Sequence, residues 1–399
     1  MIKLINTIPL FQPEVVVRRT VFTEDHEAFR ASARAFFAKE VQPHYAEWTE
    51  DGRVDRTVYT KAIQAGLCCL SIPEEYGGAG EPSFKYSAVF IEESIFADCN
   101  LGALRVHAEL CLPYLHAYAN EEQKRRWFPA IARGEIILAI AMTEPGTGSD
   151  LAGMATSARR DGDAYVLNGA KTFISGGANA DRILVVARTS PLDATDRRGG
   201  LSMFVVDTTA PGFTVGRQLK KLGLHTQDTV ELSFTDVRVP VEDLLGEEGA
   251  AFGYLSHNLP QERLTIGVSS LAAAKRALEL ATEYAKDRKV FGQSVASFQN
   301  TKFVLAECAT EITAGEALLD KALEAHDAGD LTASDAARIK LFMTEMQGRV
   351  VDKCLQVHGG YGYIVEYPIA GLYADARVSR IYGGTNEVMK TIIAKSIGL

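Results

Sequence analysis

The sequence predicts an α+β protein in which a β-rich segment lies between two helical segments. Helical spacing of apolar residues runs from Glu24 to about Leu138 and returns from Phe252 onward. Between about 139 and 245, short β-rich runs alternate with Gly, Asp and Pro turns without a long helix, which favours an antiparallel sheet or barrel. The predicted units are an N-terminal extension (1–21), an N-terminal all-α domain (22–138), a central antiparallel β domain (139–248) and a C-terminal helical domain (249–399).

The composition is that of a soluble globular protein of 399 residues, with 47% hydrophobic and 23% charged residues. A net charge of −9 argues against nucleic-acid binding, which needs clustered Lys and Arg. No run is long enough to span a bilayer, so we expect a cytoplasmic protein. The six cysteines lack metal-ligand spacing, so we expect buried thiols and no metal site; they are Cys68, Cys69, Cys99, Cys111, Cys308 and Cys354.

The first helical segment has a clear start. Phe29, Ala33 and Phe36 recur at helical spacing after Thr23, a residue type that caps helix N-termini. A second helical stretch is predicted from Tyr86 to Ala97.

The β-rich segment begins with a polar loop at residues 141–150, which read A-M-T-E-P-G-T-G-S-D. Its glycines and hydroxyls, among them Thr143 and Ser149, bare backbone N–H groups to a flat or phosphate-bearing ligand. The alternative to a ligand-binding loop is an ordinary turn at a strand end that carries polar side chains. Leu151 replaces the third glycine of a dinucleotide fingerprint, which excludes that motif.

A second candidate ligand segment follows at Lys171–Gly177. Phe173 and Ser175 are two residues apart, so on a regular strand they share one face. There they could pack on a planar heterocycle and hydrogen-bond to its edge. A core phenylalanine beside a turn serine explains the pattern equally well.

Two glycine-rich stretches lie near the C-terminus. Gln356–Gly362 is predicted to end a helix, and we interpret His358 as a packed structural histidine rather than a base. In Tyr382–Glu387, either Thr385 or Asn386 would cap the last helix, whose free N–H groups could face a ligand. A helix start needs no ligand, so this signal is weak alone.

The string Pro260-Gln-Glu-Arg-Leu is predicted to open a helix, since proline favours the first turn. Glu262 would then be an ordinary first-turn glutamate that suits the helix dipole. Against that interpretation, Thr265 and Ile266 occupy the positions where a cation would stabilise its carboxylate.

Together these segments resemble the acyl-CoA dehydrogenase family of flavoproteins over Phe22–Leu399. The shared motifs are T-E-P-G-x-G-S-D, D-R-K-V-F-G at 287–292, Q-x-H-G-G-x-G and Y-x-G-T-N-E. The strings P-Q-E-R-L and G-G-T-N-E-V-M-K resemble the long-chain subgroup in particular. The resemblance implies an N-terminal helical domain, a central β domain and a C-terminal four-helix bundle.

The resemblance also implies FAD as the cofactor. Thr143 and Ser175 would hydrogen-bond to the isoalloxazine and Phe173 would pack near it, while Arg288 and Gln299 would act across a subunit boundary. The residues implied to bind FAD are Ile140, Ala141, Met142, Thr143, Ser149, Phe173, Ile174, Ser175, Arg288, Gln299, Gln356, Val357, His358, Gly359, Gly360, Thr385, Asn386 and Glu387.

Gly383 departs from the commonest family pattern, which has the catalytic glutamate at that position. The long-chain and isovaleryl subgroups instead resemble this chain, with the base at Glu262. The implied reaction is α,β-dehydrogenation of a medium- to long-chain acyl-CoA, with the Gly383 N–H on the thioester carbonyl. The implied substrate contacts are Ser149, Pro260, Gln261, Arg263, Gly383 and Gly384.

Three alternatives remain open at the sequence level: an isovaleryl-type substrate, a flavin oxidase or monooxygenase on the same scaffold, and a catalytically inactive relative. The implied partners are an acyl-CoA and an electron-transferring flavoprotein. The resemblance further implies a homo-oligomer, expected to be a tetramer built as a dimer of dimers.

Overall fold

The computed structural model describes residues 19–399, so the predicted extension at 1–21 lies largely outside the described residues. The N-terminal part of the described chain is helical. Two π-helical turns, at Phe37–Val41 and Val106–Cys111, connect neighbouring helices in it. Thr23 is the N-cap of the first helix, which confirms that prediction. The helices are α1 (Glu24–Phe36), α2 (Tyr45–Asp51), α3 (Thr57–Gln64), α4 (Phe84–Phe96), α5 (Gly102–Arg105), α6 (Leu112–Tyr118) and α7 (Glu121–Ala132).

The central part is one eight-stranded sheet with the order β6-β7-β3-β2-β4-β5-β8 and with β1 beside β4. Alternate residues of β4 and β5 face two cores, one shared with the N-terminal helices and one within the β domain. The strands are β1 (Leu138–Ala141), β2 (Ser157–Asp161), β3 (Ala164–Ser175), β4 (Arg182–Arg188), β5 (Leu201–Asp207), β6 (Phe213–Gln218), β7 (Thr229–Pro240) and β8 (Leu244–Leu245).

The prediction of an antiparallel sheet is wrong at β4, because both β1 and β2 pair with it in parallel. Strands β2 and β3 form an antiparallel hairpin between them. The chain therefore reverses twice before β4 and returns in the direction of β1. Strand β1 ends at Ala141, where the polar loop begins.

The last part holds three long and two short helices within the described residues. Between the first two long helices, β9 (Lys289–Val290) and β10 (Gln293–Ser294) form a small hairpin. The helices are α8 (Ala251–Asp287), α9 (Gln299–Asp327), α10 (Ala333–His358), α11 (Pro368–Ala376) and α12 (Asn386–Ser396).

Helix α8 corrects one prediction, because Pro260 lies inside it rather than at its start. The turns before Pro260 are held by tertiary packing: Ala251 and Leu255 are buried in the core of the N-terminal helices. The Tyr254 ring also stacks on Tyr118 at a centroid distance of 3.8 Å. This packing outweighs the loss of one backbone hydrogen bond at proline.

Candidate active site

Glu262 lies in the first half of α8, and its side chain is largely enclosed. Its carboxyl group forms no hydrogen bond or ion pair with any residue in the described part of the chain. Burial raises the pKa of Glu262 to about 7, against the opposing charges of Arg263 and Lys340. An unpartnered carboxyl with such a pKa can accept a proton near neutral pH.

Gly383 lies directly beside this carboxyl. A Cβ atom added at Gly383 would be 3.5 Å from Glu262 Oε1 and 2.4 Å from Ile266 Cδ1. The backbone has a φ of +63° there, which favours glycine. The Gly383 N–H donates no hydrogen bond to another described residue, so it is available to a ligand carbonyl next to Glu262.

A buried polar network holds the loop of Gly383 and Gly384 in place. Lys340 Nζ donates to the Gly384 carbonyl at 2.9 Å and to Asn386 Oδ1 at 2.8 Å. The Asn386 amide in turn donates to Thr344 Oγ1 at 3.0 Å. Asn386 is buried, so its side chain serves this network rather than an open surface. Lys340 was not predicted from the sequence, because no local pattern distinguishes it from other helical lysines.

Two neighbours of these residues have structural contacts as well. Thr385 caps α12 and its Oγ1 accepts from the Val388 N–H at 3.3 Å, which confirms one of the two predicted caps. The Gln261 amide donates to the Glu109 carbonyl oxygen at 3.0 Å and lies 3.2 Å from His326 Nε2. The Gln261 side chain is therefore anchored to protein groups on both sides.

The polar loop after β1 is anchored by a buried ion pair. Lys171 Nζ lies 2.9 Å from Glu144 Oε1 and also donates to the Met142 carbonyl at 2.9 Å. The Glu144 carboxylate accepts from the Ala155 N–H at 2.7 Å and from the Thr156 N–H at 2.9 Å. Burial alone would raise the pKa of Glu144, but these donors hold it below its usual value. No role for Glu144 or Lys171 was predicted from the sequence.

The two predicted flavin segments meet, because the Thr172 N–H donates to the Thr143 carbonyl at 2.9 Å. The side chains of Ile140 and Ala141 are buried in β1, so only their backbone could reach a ligand. Ser149 is exposed at the far end of the loop.

Strand β3 has a bulge between Lys171 and Ile174, so the regular strand assumed for Phe173 and Ser175 is interrupted just before Ile174. Phe173 has a φ of +59° and its ring is 65% exposed, while Ile174 is buried. The bulge breaks the alternation of side chains that a regular strand would have.

These segments nevertheless fit a flat heterocycle with a polar edge. The exposed Phe173 ring offers an apolar surface. Ser175 Oγ accepts from Gln227 Nε2 at 2.7 Å, which leaves the serine hydroxyl hydrogen free to donate. Gly146 and Gly148 face open space, so a ligand could approach their backbone closely.

Residues 103–114 lie near both the predicted flavin segments (140–149 and 173–175) and Glu262. A Cβ at Gly176 would contact Ala103 Cβ in α5 at 3.7 Å. At the other end of the same segment, the Glu262 charge raises the pKa values of Cys111 and Tyr114, in addition to burial. Residues 103–114 therefore lie close both to the predicted flavin segments and to Glu262.

The other predicted FAD residues form a separate group at the far end of α8 and α10. His358 Nδ1 lies 2.8 Å from the Cys354 carbonyl and its ring stacks on Tyr284 at 4.6 Å, as expected for a structural histidine. Arg288 lies 5.8 Å from the Tyr361 ring centroid. Gln299, Gln356, Gly359 and Gly360 are exposed, and Val357 is partly exposed. Glu387 is also exposed, but it lies apart from this group, beside Asn386 in the first turn of α12. Among residues 19–399, no hydrogen bond, ion pair or ring contact joins Arg288 or Gln299 to the flavin loops.

The three-part fold and the unpartnered Glu262 carboxyl near segments that fit a flat heterocycle are those expected of a flavin-dependent dehydrogenase. Three family models match the chain: the N-terminal domain (23–135), the middle domain (139–237) and the C-terminal domain (250–398) of acyl-CoA dehydrogenase. The chain belongs to the acyl-CoA dehydrogenase family. It is an oxidoreductase that acts on acyl-CoA and depends on FAD.

Similar proteins agree with this assignment. The long-chain specific acyl-CoA dehydrogenase, mitochondrial, of Sus scrofa is 43% identical over 95% of this chain and 88% of its own. The crystal structure of acyl-CoA dehydrogenase from Geobacillus kaustophilus is 45% identical, with a TM-score of 0.93 over 96% of this chain and 100% of its own. An acyl-CoA dehydrogenase from Bacillus anthracis, solved with FAD, is 30% identical with a TM-score of 0.85, over 94% of this chain and 67% of its own.

Three further observations concern the sequence predictions. All six cysteines are buried free thiols. In residues 19–399, no helix is long and apolar enough to cross a membrane, and no cluster of three or more His, Cys, Asp or Glu side chains could hold a metal ion.

Proposed function

We propose that this protein removes the α-proton of a saturated acyl-CoA with Glu262 and forms the trans-2-enoyl-CoA. The single observation that supports this most is the unpartnered Glu262 carboxyl, with its raised pKa, beside the free Gly383 N–H. A carboxylate in water is far too weak a base for a thioester α-proton. An enclosed site strengthens the base, and a hydrogen bond to the carbonyl stabilises the enolate that develops.

The residues divide the reaction between them. The Gly383 N–H would hold the thioester carbonyl, and Glu262 would take the α-proton. FAD, when bound, supplies the acceptor for the β-hydrogen and its electron pair. The substrate thus loses two hydrogens, one as a proton to Glu262 and one as a hydride, and gains a double bond.

We propose that Thr143, Phe173 and Ser175 hold the isoalloxazine, since these segments meet and offer an exposed ring and free donors. Arg288, Gln299 and residues 356–360 would bind FAD of a second subunit, because they lie apart from the flavin loops of their own chain. This arrangement supports the predicted oligomer. The tetramer, the electron-transferring flavoprotein, the cytoplasmic location and the domain boundaries 22–138, 139–248 and 249–399 stay predictions.

The decisive experiment is anaerobic mixing of the Glu262→Gln variant with acyl-CoA while flavin absorbance is followed. The variant should bind FAD and acyl-CoA, but its flavin should bleach about 10²–10⁴-fold more slowly than that of the wild type, since general base catalysis contributes that much. Bleaching at the wild-type rate would exclude Glu262 as the base.

The acyl group itself needs a separate test. The likeness to a long-chain enzyme supports a medium- to long-chain group, and an isovaleryl-type substrate is the alternative with the same helix-borne base. Turnover measured against acyl length and branching would separate them. Rapid reoxidation of the reduced flavin by oxygen would instead favour an oxidase or monooxygenase.

A further inference from the structure

Arg105, at the end of α5, is an enclosed guanidinium without a carboxylate partner. It donates from Nη2 to Asn100 Oδ1 at 2.7 Å and from Nη1 to Ser269 Oγ, and both acceptors are neutral. Arg19 and Arg276, which are also largely enclosed, each pair with two or more carboxylates. No ion pair with Arg105 is formed among residues 19–399. The carboxylates of Asp375 and Glu109 favour the Arg105 charge only through space, which leaves a direct ionic partner for a ligand to supply.

Arg105 borders the same space as Glu262. Ser269, its hydrogen-bond partner, comes seven residues after Glu262 on α8 and so lies on the same helix face, about 10 Å further along the axis at about 1.5 Å per residue. The charges of Arg105 and Glu262 both act on Tyr382, next to Gly383, so Tyr382 lies near both residues. All three side chains are enclosed yet keep some accessible surface, as expected for the lining of a cavity.

A second polar group lies one turn further along the segment that carries Arg105. Glu109 accepts from the Ser87 hydroxyl at 2.7 Å, and burial raises the pKa of Glu109 to about 7. A carboxyl with that pKa can carry a proton at neutral pH and donate it to a hydrogen bond. Arg105 and Glu109 are therefore polar lining groups, and an unsubstituted alkyl tail would leave both desolvated without partners.

The free donors of Arg105 define the ligand chemistry. A guanidinium has five N–H groups; two of them donate to Asn100 and Ser269, and the other three have no acceptor among the described residues. A carboxylate takes two parallel N–H bonds from a guanidinium. We propose that Arg105 determines specificity by binding a carboxylate at the far end of the acyl group, so that the substrate is the CoA thioester of a dicarboxylic acid. This inference rests on the proposed dehydrogenation.

The test compares pairs of thioesters of equal chain length on the FAD-bound enzyme. Flavin bleaching is measured anaerobically with glutaryl-, adipyl- and suberyl-CoA, and with pentanoyl-, hexanoyl- and octanoyl-CoA. The monomethyl ester of suberyl-CoA keeps the length and removes the charge. We expect at least one dicarboxylic thioester to exceed both its alkanoyl counterpart and its ester by about 100-fold in the second-order bleaching rate constant, as expected for a charged partner in an enclosed site.

The Arg105→Met variant should lose this preference and bleach with the alkanoyl thioester as fast as with the diacid. Arg105→Lys keeps the charge without the planar fork and should keep part of the preference. Arg276→Met is the matched control on α8, since it removes an arginine paired with Asp98 and Glu279, away from Glu262. Its diacid-to-alkanoyl ratio should equal that of the wild type.

The outcomes separate the two proposals. If no thioester bleaches the wild-type flavin, the dehydrogenation itself is wrong. If alkanoyl thioesters bleach it as fast as the diacids, or if Arg105→Met leaves the ratio unchanged, only the role of Arg105 is overturned. If Arg105→Met fails to retain FAD, the role of Arg105 is still tested by two measurements. These are the wild-type bleaching rates with diacid and alkanoyl thioesters, and the diacid-to-alkanoyl ratio of Arg105→Lys.

Discussion

Glu144 and Glu262 are both enclosed glutamates next to the proposed flavin site, yet their surroundings differ in every respect. Glu144 has a lysine and two backbone N–H groups as partners, and its pKa is lowered. Glu262 has no partner, and its pKa is raised to about 7. A carboxylate with all its acceptor sites filled stabilises structure, whereas an unsatisfied one is available for proton transfer.

The largest expected effect comes from moving the base. Glu262→Gly should slow flavin bleaching by about 10²–10⁴-fold. Adding Gly383→Glu should restore part of the rate, because the Cβ at that position would lie 3.5 Å from Glu262 Oε1. The new Cβ would also lie 2.4 Å from Ile266 Cδ1, so Ile266→Val, which lacks that atom, should improve the recovery.

The control for this experiment is Glu262→Gly with Ile266→Val alone, which should stay inactive. The φ of +63° at Gly383 costs a non-glycine residue about 1–2 kcal/mol, so full recovery is not expected. A triple variant with no more activity than this control would show that the two positions do not serve one space.

The second prediction concerns stability rather than rate. Glu144→Ala leaves Lys171 enclosed without its counter-ion and should lower the free energy of unfolding by about 3–5 kcal/mol. Glu262→Ala breaks no hydrogen bond and removes a carboxyl that is costly to ionise in the folded state, so it should not lower the free energy of unfolding at neutral pH. Urea unfolding of both variants would measure this, and equal losses would contradict the comparison.

The third prediction uses pH. Glu262 must be ionised to accept a proton, so the bleaching rate should rise by up to about 10-fold per pH unit below about 7 and level off above. Glu109 has a similar pKa, so Glu109→Gln should be measured as the control and should keep this profile. A bleaching rate that stays constant from about pH 5 to about pH 8 would exclude Glu262 as the titrating group.

The two glutamates should also respond to pH in opposite directions when stability is measured. The folded state holds the Glu262 proton more tightly than the unfolded state, so this contribution is present at low pH and is lost as pH rises towards 7. For Glu144 the folded pKa is lowered, so its contribution is present above its usual pKa and is lost as pH falls. Comparing the unfolding free energies of the two Gln variants across pH isolates each effect.

The smallest effect is expected at Arg263, whose charge lowers the pKa of Glu262. Arg263→Gln should therefore move the midpoint of the pH–rate profile upward, by less than about one unit. Arg263→Lys keeps the charge and should leave the midpoint in place. A downward shift in Arg263→Gln would mean that Arg263 acts mainly through the Gly383 carbonyl, which it contacts at 3.4 Å.

Local signals in the sequence predicted the three-part order and the caps Thr23 and Thr385, because capping depends on residues within one turn. The prediction that Pro260 opens a helix was wrong because tertiary packing extends α8 before it, and the bulge in β3 beside Phe173 was not predicted.

The partners that tune the site could not be predicted from the sequence, because they are distant in it. Lys171 and Glu144 are 27 residues apart, Lys340 and Asn386 are 46 apart, and Arg105 and Ser269 are 164 apart. Only folding shows whether an ionisable group has a partner, so the contrast between Glu144 and Glu262 is a property of the structure.

Pro260 has a mechanical consequence for catalysis. Its ring nitrogen cannot donate to the carbonyl of Ser256, so α8 lacks one backbone hydrogen bond just before Glu262, the proposed base. The remainder of the helix is locked among buried neighbours from Leu264 onward. Any bending as an acyl chain enters is thereby confined to the turn that carries Glu262, which lets the carboxyl adjust its reach without disturbing the bundle.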